Sequence, residues 1–322
     1  MTPPAVTSPA SRTRLSGPAD LPRLLRSRRP GPRRRRTALE KTGIALLSVF
    51  ALMAAFGPLA APYNPSQNTS AILQPPSLTH LLGTTQTGQD VLSQLLVGAR
   101  SSIVIALISA AIATLISIVV GISSGYLRAA FAELLSAVTN VFLVLPALPL
   151  AIVIAAYLPT HGNLAVAIVV ALTGWAWGAR QLRAQTLSLR GRDFVTAARL
   201  TGEGRARIIF FEIAPNVLPI IVSSFLFTVL YAVVTQASLA FLGLVDISQW
   251  SWGTMLYWVQ NFQAFTLGAW WWYIPPGLCI ALFGTGLSLV SLGFDDRINR
   301  RLRVRRGAKA RRARLPEGQV PA

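Results

Sequence analysis

Six apolar stretches, each about twenty residues long, constrain this 322-residue chain more than any other feature. A helix needs about 20 apolar residues to cross the roughly 30 Å hydrocarbon layer of a bilayer. The stretches fall at about 43–61, 101–126, 134–157, 162–180, 214–240 and 273–293. None contains an acidic residue or a lysine, and Arg180 stands only at the end of its stretch. Inside lipid, backbone N–H and C=O groups must find partners within the segment, which a helix provides. The expected fold class is therefore all-α: a polytopic membrane protein with six transmembrane helices.

The charges give the orientation. The net charge is +19, yet only 13% of residues are charged, against about 25% in a soluble domain. Eleven of the basic residues lie in 1–41, seven in 180–207 and ten in 297–314. On a soluble protein such a charge would suggest nucleic acid. Here it is gathered in blocks beside apolar segments, the pattern that holds loops in the cytoplasm. No nucleic-acid partner is expected. The N-terminal tail, the loops 127–133 and 181–213, and the C-terminal tail are assigned to the cytoplasm, and both termini on one side fits an even number of spans. Residues 247–294 carry no charge over 48 positions and could hold two spans. Two would put the basic block 297–314 outside, so one span is expected, preceded by an extracytoplasmic segment.

This divides the chain into a basic disordered tail (1–40), a first helix with an extracytoplasmic loop (41–99), a core of five spans (100–294) and a basic tail (295–322). The core contains the cytoplasmic loop 181–213 and a Trp-rich extracytoplasmic segment, 244–272. Residues 1–36 are rich in Pro, Ser and Arg and are expected to be disordered. With the first span and the small residues Ala60-Ala61 they also have the form of a secretory signal. Five spans follow, and an uncleaved anchor suffices for them. Trp250, Trp252, Trp258, Trp270, Trp271 and Trp272 fit an interfacial belt, since tryptophan favours the membrane–water boundary. Trp250, Trp252 and Trp258 are also candidates for cargo or partner contact. Pro146, Pro149 and Pro219 lie within spans, where they either allow bending or are static packing features. Pro275-Pro276 are expected to start the last span.

The chemistry that is missing narrows the function. The only lysines, Lys41 and Lys309, lie in the tails, and no G-x-x-x-x-G-K-[ST] loop exists to cradle ATP. His80 and His161 have no cysteine or pair of carboxylates near them in sequence, so no metal site is expected. Cys279 is the single cysteine, which excludes an intrachain disulfide. The spans lack the ionisable groups that ion-coupled carriers use. No catalytic residue is expected, and uphill transport would need energy from a partner.

One charged island interrupts this pattern. Asp193 stands where it could cap a helix. Phe194, Ala197, Ala198 and Thr201 follow at i, i+3, i+4 and i+7 spacing, one helical face. Gly202 and Gly204 end the turn, Arg205, Arg207 and Glu212 flank an apolar run, and Pro215 opens the next span. By itself this reads either as a helical hairpin lying on the membrane or as a docking platform.

The spacing resembles the coupling loop of ATP-binding-cassette importer permeases: Glu-Ala-Ala, three residues, Gly, nine residues, then a stretch ending in Leu-Pro. Here Thr196-Ala197-Ala198, three residues, Gly202, nine residues and Glu212-Ile213-Ala214-Pro215 match it. Thr196 replaces the acidic residue and Ala214 the leucine. Two more stretches are similar to the second permease of di-/oligopeptide and nickel importers: residues 82–100, from Leu82-Gly83-Thr84 to Gly98-Ala99-Arg100, and Ser238-Leu239-Ala240-Phe241-Leu242-Gly243-Leu244 with Trp252-Gly253-Thr254-Met255-Leu256. Val245-Asp246, the heavy tryptophan content and the basic N-terminal extension depart from that branch. The similarity covers about residues 40–300.

The resemblance implies a non-catalytic permease subunit in the cell membrane. It implies a homologous second permease as heterodimer partner, two cytoplasmic ATPases that bind ATP and Mg, and an extracytoplasmic substrate-binding protein. Asp193, Thr196, Ala197, Ala198, Gly202 and Pro215 would couple it to an ATPase. The alternatives are a membrane scaffold or regulatory protein docking a non-ATPase partner, or a passive channel.

Overall fold

A computed structural model describes residues 33–127, 129–158 and 162–312, with side-chain surroundings over 39–127, 130–158 and 162–293. Helices α1 (Arg33–Ala60), α2 (Val91–Tyr126), α3 (Ala129–Val144), α4 (Ala147–Tyr157) and α5 (Asn163–Arg190) come first. Then follow α6 (Asp193–Leu200), α7 (Arg205–Arg207), a π turn (Ile208–Ile213), α8 (Ala214–Phe241), α9 (Trp252–Asn261) and α10 (Trp270–Arg312). No strand forms among the described residues; Thr84 and Asp90 make one isolated antiparallel bridge.

Five helices are long and apolar enough to cross a membrane, and α3 with α4 makes a sixth crossing if taken together. The expected third span, 134–157, is not one straight helix. It is two pieces bent by 95°. The cause is local. The residue before a proline is pushed out of the α region, and Pro146 takes an extended conformation as the N-cap of α4. Pro149 sits in the first turn of α4, where its missing N–H costs no helical hydrogen bond.

Other boundaries also move. Helix α2 begins ten residues before the expected span and, at 36 residues, reaches about 54 Å. Helix α1 starts at Arg33, inside the segment expected to be disordered, and α10 starts at Trp270 and holds Pro275 and Pro276 inside it. The rest of the expected N-terminal tail and His161 lie outside the described residues.

The main seam joins α2 to α5. A Cβ on Gly121 would stand 2.7 Å from the Ala179 carbonyl oxygen, and one on Gly125 2.6 Å from Thr186 Cβ. This G-x-x-x-G pair lets the two backbones approach, as close-packed membrane helices do. Ser117 Oγ reinforces the seam by donating to the Trp175 carbonyl at 2.6 Å.

At the opposite end from the α6 island, residues 61–90 fold into a cap. Asp90 caps α2, accepting from Ser93 N–H at 2.8 Å and from Ser93 Oγ at 2.7 Å, while its other oxygen pairs with His80 Nδ1 at 2.9 Å. Sequence spacing alone did not reveal that pairing. Tryptophans pin the cap to the segment before α9 and to the start of α10: Trp250 Nε1 donates to Ser66 Oγ at 2.9 Å and Trp271 Nε1 to the Thr84 carbonyl at 3.2 Å.

Candidate functional site

The α6 island is a small folded unit on the ends of the spans. Val195 is fully buried and Ala198 nearly so, packed with Ile208, Ile213, Val217, Leu182 and Ile122. The inward stripe is thus Val195 and Ala198. Of the expected face, Ala198 turns inward and is joined by Val195, whereas Phe194, Ala197 and Thr201 are exposed. Val195 and Ala198 are one turn apart and meet the apolar side of the π turn, whereas Phe194 lies on the flank.

Asp193 does not cap α6. Arg192 takes the cap position with no side-chain bond, and Asp193 is the first helical residue. Its carboxylate there faces the positive end of the helix dipole. At the other end the Gly202 N–H donates to the Arg199 carbonyl and the Glu203 N–H to the Ala198 carbonyl, both at 3.1 Å. This paired pattern is the Schellman stop, and it needs a left-handed residue. Gly202 supplies it with φ +80°.

The outward face mixes charge with apolar area. Leu200 is 84% exposed, and Thr196, Ala197 and Gly202 are exposed beside it. The Arg199 guanidinium lies 5.3 Å from the centre of the Tyr126 ring, which ties α6 to the end of α2. Arg207 and Glu203 pair at 3.4 Å. Pro215 is the second residue of α8, directly after the π turn. A proline lacks the N–H for the i−4 carbonyl and its ring presses on that carbonyl. The wider turn relieves both, with the Ala214 N–H reaching back to the Ile209 carbonyl. The second half of the island and α8 are thereby one continuous helix from Arg205 to Phe241.

The tryptophans separate into different roles. Trp252 is fully buried, edge-on to Phe50 and Phe283 with ring centres 5.7 and 6.2 Å away, so it is a core residue in this conformation. Trp272 is likewise buried. Trp258 is half-buried, stacked on Phe262 at 5.6 Å, and Trp250 lines an open cavity. An interfacial belt for all six is therefore not what forms.

A second feature flanks the break in the third span. A cavity of about 350 Å³ is lined by Phe142, Pro146, Thr173, Trp177, Phe227 and Tyr231. Trp177 stacks on Phe227 at 4.4 Å, and the Tyr231 hydroxyl donates to Thr173 Oγ1 at 2.9 Å. Both stacked rings are partly exposed. Sequence reading missed this cluster, because Trp177 and Phe227 lie 50 residues apart in different spans. Among the described residues no group of three His, Cys, Asp or Glu side chains is placed to hold a metal ion.

Residues 117–304 match the family of binding-protein-dependent transport system inner membrane components. The chain belongs to this family. Residues 33–76 also match the N-terminal transmembrane domain of oligopeptide transport permease C. The chain is 32% identical to the oligopeptide transport system permease protein OppC of Bacillus subtilis, over 84% of this chain and 88% of that one. It is 35% identical to the dipeptide transport system permease protein DppC of Escherichia coli, over 81% and 88%. A putative peptide transport system permease of Brucella suis is 33% identical over 82% and 88%. This family member is a transport permease of the inner membrane and not an enzyme.

Proposed function

We propose that the chain forms half of the translocation path of an ATP-driven importer for di- or oligopeptides. The observation that carries this reading is the shape of the island. A short helix anchored by Val195 and Ala198 and stopped by Gly202, followed by a helix that runs unbroken from Arg205 to Phe241, presents an outward face at the end of the bundle. A groove on a cytoplasmic ATPase would take that face. Movement of the ATPase would then pass through a rigid lever into α8, and from there to the α3–α4 break and the Trp177–Phe227 pair. Asp193, Thr196, Ala197, Ala198, Gly202 and Pro215 are the coupling residues in this scheme, with Thr196 contributing a hydroxyl where an acid would give an ion pair.

The partners proposed are a homologous second permease, two cytoplasmic ATPases that carry ATP and Mg, and an extracytoplasmic binding protein that selects the cargo. Both termini and the island lie in the cytoplasm, following the basic blocks. Peptide cargo follows the names of the relatives. Trp250 and Trp258, both partly exposed, are the proposed contacts for cargo or the binding protein at the opposite end, and Trp252 would need a rearranged core to join them.

The test is purification of the tagged chain in mild detergent, followed by identification of the chains that accompany it. A second permease with one or two P-loop ATPases supports the proposal. A chain recovered alone or with itself, under conditions that keep it monodisperse, overturns it.

A further inference from the structure

We infer that Arg100 and the groove below it bind an anionic phospholipid: the headgroup phosphate on the guanidinium, one acyl chain between α2 and α5. The inference depends only on the chain spanning a membrane.

Arg100 is the only Lys or Arg between residues 42 and 127. It is the tenth residue of α2, about 14 Å from that helix's start. It is exposed at the edge of the expected span 101–126, the level at which a basic side chain meets lipid headgroups. The two acids of that end are taken. Asp90 is buried against His80 and Ser93, and Asp246 is held by the Ser248 hydroxyl and N–H, which keep its carboxyl below the usual carboxylate range. Among the described residues Arg100 has no ion-pair partner and no hydrogen-bond acceptor.

The side chain lines an open cavity of about 700 Å³ between α1, α2, α5 and residues 248–250. The same cavity has a polar part of its lining: Ser101, Trp250 and the pair in which Asn163 Nδ2 donates to Gln249 Oε1 at 2.8 Å. Beyond them the wall is apolar, with Val104 and Ile108 exposed on α2 and Leu164 exposed on α5. Ile108 lies eight residues past Arg100, about 12 Å down the helix axis. The apolar face continues through the exposed Leu115 and Val119. A cation with polar neighbours above a long apolar groove is the complement of a phospholipid. A small free anion would leave that groove empty. Trp250 fits the headgroup level, where tryptophan is favoured. No lining residue comes from α3, α4 or α8, so the groove is distinct from the Trp177–Phe227 cavity, with which it shares only α5.

Arginine binds phosphate through two parallel N–H donors, which lysine cannot reproduce. The experiment measures phosphatidylglycerol retained by the protein when it is purified with its accompanying chains from vesicles of equal phosphatidylglycerol and phosphatidylcholine. The wild type should hold about one phosphatidylglycerol per chain through delipidating washes. Arg100→Gln should lower that retention about tenfold, the loss of a charge-assisted hydrogen-bonded contact, with Arg100→Lys between the two. Ile108→Trp keeps the charge and fills the groove, and should also lower retention. It guards against misfolding of the Arg100 variant. Equal retention in Arg100→Gln and wild type overturns the inference. So does cysteine cross-linking from position 101 or 163 into an accompanying protein chain, which would make the groove a subunit interface.

Discussion

The Glu203 N–H donates to the Ala198 carbonyl at 3.1 Å, closing the ring of backbone that stops α6 at Gly202. The two residues belong to the two halves of the island, so this bond sets the angle between α6 and the lever that becomes α8. Gly202 makes the bond possible with its φ of +80°, and nothing lies within 4 Å of a Cβ placed there. Gly202→Ala therefore meets backbone strain and no clash. The left-handed conformation costs a Cβ-bearing residue about 1–2 kcal/mol. Insertion and thermal stability of the bundle should remain close to wild type. Uptake and substrate-stimulated ATP hydrolysis by the assembled transporter should fall severalfold. Asparagine, which tolerates this conformation better, should retain more activity than alanine. Equal loss of folded protein and transport in Gly202→Ala would refute a local role.

Val195 and Ala197 lie two residues apart on opposite sides of α6, and substitutions there should fail differently. Val195 is fully buried among Ile208, Ile213 and Leu182. An aspartate there would bury an unpaired charge, at a cost of several kcal/mol. Val195→Asp should release α6 and speed tryptic cleavage after Arg192 and Arg199, which are exposed but held in ordered backbone. Ala197 is exposed, so Ala197→Glu should leave the tryptic pattern unchanged while weakening co-purification of the proposed ATPase. If both variants lose the ATPase and both become protease-sensitive, Ala197 is not a contact residue.

Much of this was legible in the sequence, and the exceptions share a cause. Span positions, the island and its glycine stop follow from hydrophobicity and charge along the chain, which are local properties. The direction of α6 is set by its partner: Phe194 and Val195 are adjacent apolar residues, and only the position of Ile208 and Ile213 decides that Val195 turns inward. Trp252 has the composition of an interface residue, yet Phe50 and Phe283, from the first and last spans, enclose it. The His80–Asp90 pair depends on the fold of the loop between them. Pro146 marked the third span as breakable, but the 95° bend also depends on packing against α5 and α8. The G-x-x-x-G pair at Gly121 and Gly125 was present as a signal and was not used.

That seam gives a stability prediction. A Cβ at Gly121 or Gly125 would meet backbone or β-branched atoms at 2.6–2.7 Å, and neither kind of neighbour yields easily. Overpacking of this type costs about 1–3 kcal/mol. Gly121→Val should lower the unfolding midpoint in detergent by several degrees and reduce the yield of monodisperse protein. Gly277→Ala, in α10 with open space around it, should be neutral or slightly stabilising, since alanine favours a helix over glycine. A Gly121 variant as stable as the Gly277 variant would mean that α2 and α5 are less tightly joined than described.

The cap at the other end should fail at Asp90. Its carboxylate accepts from Ser93 N–H, Ser93 Oγ and His80 in a buried setting. Asp90→Ala removes a helix cap, worth about 1 kcal/mol, and leaves buried donors unmet, at about 1–3 kcal/mol. The 61–90 loop should loosen, and with it the Trp271 bond to the Thr84 carbonyl that ties the loop to the start of α10. Hydrogen exchange should therefore rise across 77–93 and at 270–273 together. Asp90→Asn keeps a competent cap and should show a smaller rise. Because the loop lies at the end away from the island, ATPase co-purification should not change in either variant, whereas stimulation by the extracytoplasmic binding protein should fall. A rise confined to 77–93 would show that the tryptophan does not couple the cap to the last span.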